Sequence, residues 1–302
     1  MEAIEVKGLT KQFGKLKKTT VVNDLSMKIE TGSVHGFIGP NGAGKTTTIK
    51  MLMGVILPTK GDILINGNKA GTISAKKLIG YSPEHPDFYN MPAKEFLIYC
   101  AEICGVKNSE KRAEELLNWM GLLDFKNVDA RKFSSGMKQK LSLAQALIHD
   151  PEILILDEPT SNLDPLGRHE VLAKIKDLSI KEKKTIFVSS HILDELEKII
   201  DHVTVLKKGN VLLQTSVDGL KEKYGSNHYF LNTKNNPKYL QLIKKIKNVK
   251  SANINHEHKI ELITNPGFKK DILKLFSGKE EDLLEFSPFR MSLENLFMKL
   301  VK

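Results

Sequence analysis

Between the apolar run Val34 to Ile38 and a helix-forming stretch that opens at Lys45 stands the segment Gly39-Pro40-Asn41-Gly42-Ala43-Gly44-Lys45-Thr46-Thr47. The spacing G-x-x-x-x-G-K-[ST], entered from a strand and left by a helix, constrains this chain more than any other feature. Its glycines let consecutive backbone N–H groups converge on one point, where side chains would obstruct them. The N-terminus of the following helix adds a positive field. A loop built this way holds phosphate. On this reading Gly39, Asn41, Gly42, Ala43, Gly44 and Thr47 form the cradle. Lys45 reaches the β- and γ-phosphates of the bound ligand, and the hydroxyl of Thr46 ligates Mg²⁺.

The flanking sequence extends the α/β pattern. Ala3 to Gly8, Val21 to Ile29, and Ile63 to Ile65 turned by Asn66-Gly67 predict an antiparallel β subdomain. Apolar residues at three- and four-residue steps, among them Phe96, Leu97, Cys100 and Ile103, predict a helical insertion over about residues 84–145. The unbroken runs Ile153 to Leu156 and Thr185 to Val188 are those of strands buried on both faces. Helices are predicted over Lys138 to Ile148, Pro165 to Leu178 and Ile192 to Ile200, and a hairpin over Val203 to Leu213. Past Gly219 the texture turns to Lys and Asn with few Gly. There the order βαββαβ, followed by a helix from Leu293 to Val301 capped by Ser292, predicts a small ferredoxin-like α+β domain. The division expected is 1–220 and 221–302.

Composition excludes several classes. With 302 residues, 40% hydrophobic and 27% charged, the chain is neither fibrous nor disordered. No apolar run approaches the roughly 20 residues of a membrane-spanning helix. The start carries Glu2 and Glu5 and no basic-then-apolar pattern, so no secretory signal is read and a cytoplasmic protein is expected. The net charge of +10 sits mostly in the tail: residues 1–220 hold 30 basic against 27 acidic residues, and residues 221–302 hold 16 against 9. Lysines spread over amphipathic helices read as a solvated face, so nucleic acid is not the expected partner. Cys100 and Cys104 read as small core-facing hydrophobes, and His256 with His258 as a strand-face pair short of metal ligands.

Two further places carry chemistry. Asp157 and Glu158 end the buried strand that starts at Ile153, where the crevice of an open α/β sheet lies. Asp157 is the natural partner of Mg²⁺, and Glu158 is placed to polarise an attacking water. His191 leaves the next buried strand through Ser189-Ser190. A neutral imidazole there bridges the γ-phosphate and the water-polarising carboxylate.

Together with Phe133-Ser134-Ser135-Gly136-Met137-Lys138-Gln139-Lys140 and Ser161-Asn162-Leu163-Asp164, these segments resemble, over about residues 3–220, the nucleotide-binding subunit of ATP-binding cassette (ABC) transporters. The resemblance implies a P-loop ATPase of ABC type that hydrolyses ATP through Glu158, His191 and Lys45. Two such subunits, identical or not, would pack head to tail. Ser134, Ser135 and Gly136 of one would close on the ATP held by the other, and Asp164 would cross the same interface. The subunit would drive a separate integral membrane permease from the inner face of the membrane. The alternative is a soluble ABC ATPase of an assembly or regulatory complex. Phe13 matches the aromatic that stacks on adenine, followed by a lengthened hairpin around Lys15 to Thr20. Glu84, after Tyr81-Ser82-Pro83, stands where most relatives carry Gln, and so offers a carboxylate to the metal. Ser135 and Met137 replace the first glycine and the glutamine of the signature, which is similar to the drug- and bacteriocin-export branch. The loop Glu84 to Asn90, with Phe88, Tyr89 and Met91, resembles the surface that receives the permease's cytoplasmic helix, though these side chains equally suit the insertion's own core.

Overall fold

The structure is a computed structural model that describes residues 2–14, 17–220, 227–255, 258–265, 267–288, 293–295 and 297. Lys15 and Leu16 of the expected hairpin, His256, and Ser292 with most of the expected closing helix lie outside those residues. The chain divides into two compact units, one built on Met1–Val217 and the other on Asp218–Leu296.

The first unit holds two sheets. β1 (Glu2–Phe13), β2 (Thr19–Glu30), β4 (Lys60–Ile65) and β5 (Asn68–Lys69) pair antiparallel in the order β2-β1-β4-β5. Their alternating burial leaves Ile4, Val6, Leu9, Leu25, Met27 and Ile63 inside. The second sheet runs β10-β9-β3-β8-β7-β6, from β3 (Val34–Ile38), β6 (Ile79–Ser82), β7 (Ile153–Asp157), β8 (Thr185–Ser190), β9 (His202–Lys207) and β10 (Asn210–Ser216). It is parallel except at β10. Every residue of β3, β7 and β8 is buried, the state that their unbroken apolar runs require. One core joins both sheets to α1 (Lys45–Leu52). In it Phe37 and Phe187, ring centroids 5.0 Å apart, each gain roughly 1.5–3 kcal/mol by burial.

Because β3, β8, β7 and β6 are adjacent and parallel, their C-terminal ends open along one edge of the sheet. Those ends carry the phosphate loop, His191, Asp157-Glu158 and Glu84 respectively. Around this frame lie α2 (Ile73–Lys77), α3 (Ala93–Ile103), α4 (Ser109–Trp119), α5 (Ser135–Ala146), α6 (Pro165–Glu182) and α7 (Leu193–Leu196). α5 approaches β6 closely: a Cβ at Gly80 would lie 2.0 Å from the Ala146 carbonyl oxygen.

Several expectations need correction. α5 opens at Ser135 rather than Lys138, because the Ser134 side chain accepts the Met137 N–H and caps the helix there. The helix expected over Ile192 to Ile200 has only the single turn α7. The hydrophobic period is too short over Ile79 to Ser82 to announce β6, and α2 carries one buried residue, Ala75. Cys104 does not face the core: it is the C-cap of α3 and exposed, while Cys100 is half-buried, its thiol pushed up to about 11 by burial. Phe88 is buried edge-on against Phe96, whereas Tyr89 is 63% exposed.

The second unit follows the order β11 (His228–Thr233), α8 (Asn236–Ile243), β12 (Val249–Ile254), β13 (Ile260–Thr264), α9 (Phe268–Leu275), β14 (Leu283–Pro288). Its sheet order is β12-β13-β11-β14 with every pair antiparallel, the ferredoxin-like arrangement. Leu231, Leu262, Tyr239, Ile243, Phe268 and Ile272 form a core of its own.

Candidate active site

The loop after β3 leaves the sheet at Gly39 and enters α1 with Gly42 at φ +77° and Gly44 at φ +105°. Only glycine takes these angles without strain, and a Cβ at Gly44 would also stand 2.8 Å from the Val21 carbonyl oxygen. The loop is open at Gly42, where nothing but its chain neighbours lies within 4 Å of the place a Cβ would take. It opens into a cleft of about 340 Å³ lined by Val21, the loop from Pro40 to Thr47, Glu84 and Glu158. Converging N–H groups, a helix N-terminus and Lys45 fit this concavity to a polyphosphate.

Lys45 is 7% exposed, and its ammonium donates to the Gly39 carbonyl at 2.8 Å and pairs with Glu158 Oε1 at 3.4 Å. Glu158 is 5% exposed and sits at φ +50°, a left-handed backbone that non-glycine residues rarely adopt. That turn swings its carboxylate off the strand axis toward the loop. Its Oε2 accepts the His191 backbone N–H at 3.1 Å and the His191 Nδ1–H at 2.7 Å. A carboxylate only accepts, so Nδ1 carries a proton. The His191 side chain is 53% exposed.

Asp157 is 1% exposed, and burial raises its carboxyl above the ordinary range. The Ser189 hydroxyl at 2.5 Å and the Thr46 hydroxyl oppose that shift, while Glu158 and Glu84 add to it. Ser189 also accepts the Glu158 N–H at 3.1 Å, so one hydroxyl ties both acids together. A threonine hydroxyl, a buried carboxylate and the nearby Glu84 make an all-oxygen donor set of the kind that suits a hard divalent cation.

The fold thus gathers Asn41 to Thr47, Glu84, Asp157, Glu158 and His191. Gly39 contributes through its carbonyl to Lys45 rather than to the lining. Phe13, at the end of β1, is 45% exposed with the Lys11 ammonium 5.0 Å over its ring, and it does not line the cleft. Ser134, Ser135, Gly136 and Asp164 also stand apart from it. Ser134 and Ser135 are exposed at the N-terminus of α5, and Asp164 is exposed as the N-cap of α6, accepting the Gly167 N–H at 3.2 Å. Sequence reasoning missed Ser189, Asn162 and Gln139. Ser189 lies in the segment leading to His191, so its place beside Asp157 follows only once β7 and β8 are known to be neighbours. Among the described residues there is no group of three or more His, Cys, Asp and Glu that could hold a metal ion.

A family model described as ABC transporter matches residues 22–161. The chain is 37% identical to the bacitracin transport ATP-binding protein BcrA of Bacillus licheniformis over 99% of its own length and 97% of that protein. It is 35% identical to an uncharacterized ABC transporter ATP-binding protein of Bacillus subtilis, over 99% and 96%. Among solved structures, an ATP-binding subunit of an ABC transporter superposes with a TM-score of 0.67 at 32% identity, covering 74% of this chain and 93% of that one. A dimeric cassette in a post-hydrolysis state with ADP and Pi shares the fold at a TM-score of 0.66 and 23% identity, over 71% and 98%.

Proposed function

Because this chain belongs to the ABC transporter family as one of its ATP-binding subunits, we propose that it is the motor of an exporter of the drug and bacteriocin type. It binds and hydrolyses ATP. The site above carries the chemistry of that step, and the observation that carries the reading is Glu158. It is a buried carboxylate turned out of its strand, oriented by His191 and neutralised by Lys45.

When the γ-phosphate enters, Lys45 exchanges Glu158 for phosphate oxygens, and Glu158 Oε1 becomes the free acceptor facing the attacking water. His191 keeps Oε2 in place through its backbone N–H and its Nδ1–H. Glu158 takes the water's proton as the water oxygen attacks the γ-phosphorus in line and the bond from that phosphorus to the bridging oxygen breaks, that oxygen leaving with ADP. Thr46, Asp157 and Glu84 would hold Mg²⁺, which would supply positive charge against the negative charge that develops on the phosphates. Asn41 to Thr47 hold the chain of phosphates against the dipole of α1. Phe13 stacks on adenine from its exposed position.

A cleft walled on one side leaves the γ-phosphate half enclosed. The exposed Ser134-Ser135-Gly136 end of α5, a second helix N-terminus, supports closure by a second ABC subunit, with Asp164 at the same interface. The partner is an integral membrane permease that docks from the cytoplasmic face. A groove of about 410 Å³ lined by Tyr81, Tyr89, Phe96, Tyr99 and Ile103 supports that docking, since it offers an aromatic wall to an amphipathic helix. No helix among the described residues is long and apolar enough to cross a membrane, so this reading assigns the spans to the permease. Glu158→Gln keeps shape and hydrogen bonds but removes the base. ATP turnover is expected to fall about 10²–10⁴-fold with ATP binding retained. Turnover at the wild-type rate would remove Glu158 from the role.

A further inference from the structure

Glu84 is held by its backbone on both sides, by two elements that do not otherwise belong to its loop. The peptide entering it carries the Pro83 carbonyl, and the Gln139 side-chain nitrogen lies 3.5 Å from that oxygen and 3.5 Å from the Ser82 hydroxyl. The peptide leaving it carries the Glu84 carbonyl, which accepts the Asn162 side-chain N–H at 3.1 Å. Gln139 is the fifth residue of α5 and only 1% exposed, and Asn162 lies two residues before the Asp164 cap. Ser142, one turn further along α5, exchanges a 2.8 Å hydrogen bond with Ser82 where both are fully buried. Ser135 reaches the Asn162 carbonyl at 3.4 Å. The start of α5, the turn bearing Glu84 and the loop bearing Asp164 are thus closed into one polar ring.

A buried amide is costly unless its hydrogen-bonding groups are matched. Gln139 is only half matched: its donor contacts are long, and its Oε1 has no partner. A leucine or methionine would fill that space without an orphaned oxygen, so packing alone gives no reason for a glutamine. Its amide nitrogen faces the one peptide oxygen whose rotation turns Glu84.

We propose that Gln139 and Asn162 are positioning residues that clamp the Glu84 peptides and so set how far its carboxylate reaches toward the metal beside Asp157. The inference rests on the reading of Glu84 as a metal ligand given above. The Asn162 side is short and fixed. The Gln139 side is the longer contact, at 3.5 Å.

The test uses the full chain with a non-hydrolysable ATP analogue and Mn²⁺, whose free fraction is read by electron paramagnetic resonance. Gln139→Met, of similar volume and without the donor, is expected to weaken Mn²⁺ binding about tenfold, as loss of a group orienting a ligand does. Analogue affinity without metal should be unchanged, and the thermal midpoint should not fall, since the orphaned amide oxygen is removed. In a Glu84→Ala background the same substitution is expected to add nothing, because the group it orients is gone. Asn162→Ala opens the clamp from its other side and should behave alike, which covers the case of a Gln139 variant that does not fold. If Glu84→Ala weakens Mn²⁺ binding but neither clamp variant does, the clamp is wrong and the metal reading stands. The clamp is equally wrong if Gln139→Met costs the same with and without Glu84. If Glu84→Ala itself has no effect, the metal reading falls and the clamp falls with it.

Discussion

At the scale of single residues, the site depends on three groups that hold one another: Glu158, His191 and Lys45. The left-handed φ of Glu158 lets a strand-end acid point into the loop, and Ser189 stabilises that turn by accepting its N–H. Ser189→Ala removes the hydroxyl that reaches Asp157 and the acceptor facing Glu158. Leaving a buried carboxylate short of a donor should destabilise the protein by about 1–3 kcal/mol, measurable by denaturant titration. A change within error would show that Thr46 alone satisfies Asp157. The sequence announces the acids and the histidine, because each ends a buried apolar run where a charged side chain has no structural excuse. It cannot announce Ser189, Asn162 or Gln139. Small polar residues beside a motif look like ordinary strand or loop positions until strand order says which acid or which peptide they face.

At the scale of elements, four neighbouring parallel strands do the positioning, and β3 is the one that delivers the phosphate loop. Its His35 is 1% exposed, 2.8 Å from the Thr204 hydroxyl, and stacked beside His202. Burial, with the charge of His202 as the smaller cause, lowers its pKa from 6.5 to about 3. Between those values the unfolded chain takes up a proton that the folded chain refuses. The stability His35 allows is therefore full above pH 6.5 and falls as the pH drops toward 3. His35→Asn, which does not titrate, should flatten the pH dependence of unfolding free energy between pH 6.5 and 4 relative to wild type. Equal slopes would mean that His35 is protonated in the folded state. The apolar periods announce β3, β7, β8, α3 and α4 because each is long enough to show its repeat. They fail at β6 and α2, which are too short to show one; they carry the helix at Ile192 on to Ile200 where only the single turn α7 forms; and they fail at Cys104, where a helix ends before its pattern does.

At the scale of the molecule, an ATPase unit and a ferredoxin-like unit each close on a core of their own. The order of six short elements in residues 228–288 was enough to predict the second, since few sheets accommodate βαββαβ. What no single chain displays is the other half of the enclosure. The phosphate loop offers one wall; of the groups proposed to complete it, Ser134 and Asp164 cap their own helices, and Ser135 and Gly136 open the first turn of α5. The central claim is that one triphosphate is held between two such subunits. Light scattering on Glu158→Gln with ATP and Mg²⁺ tests it most directly. The mass should double to that of a dimer when nucleotide is added and return to the monomer when Ser134→Arg is introduced as well. A variant that binds ATP yet stays monomeric, or that dimerises equally well with arginine at position 134, would contradict the account.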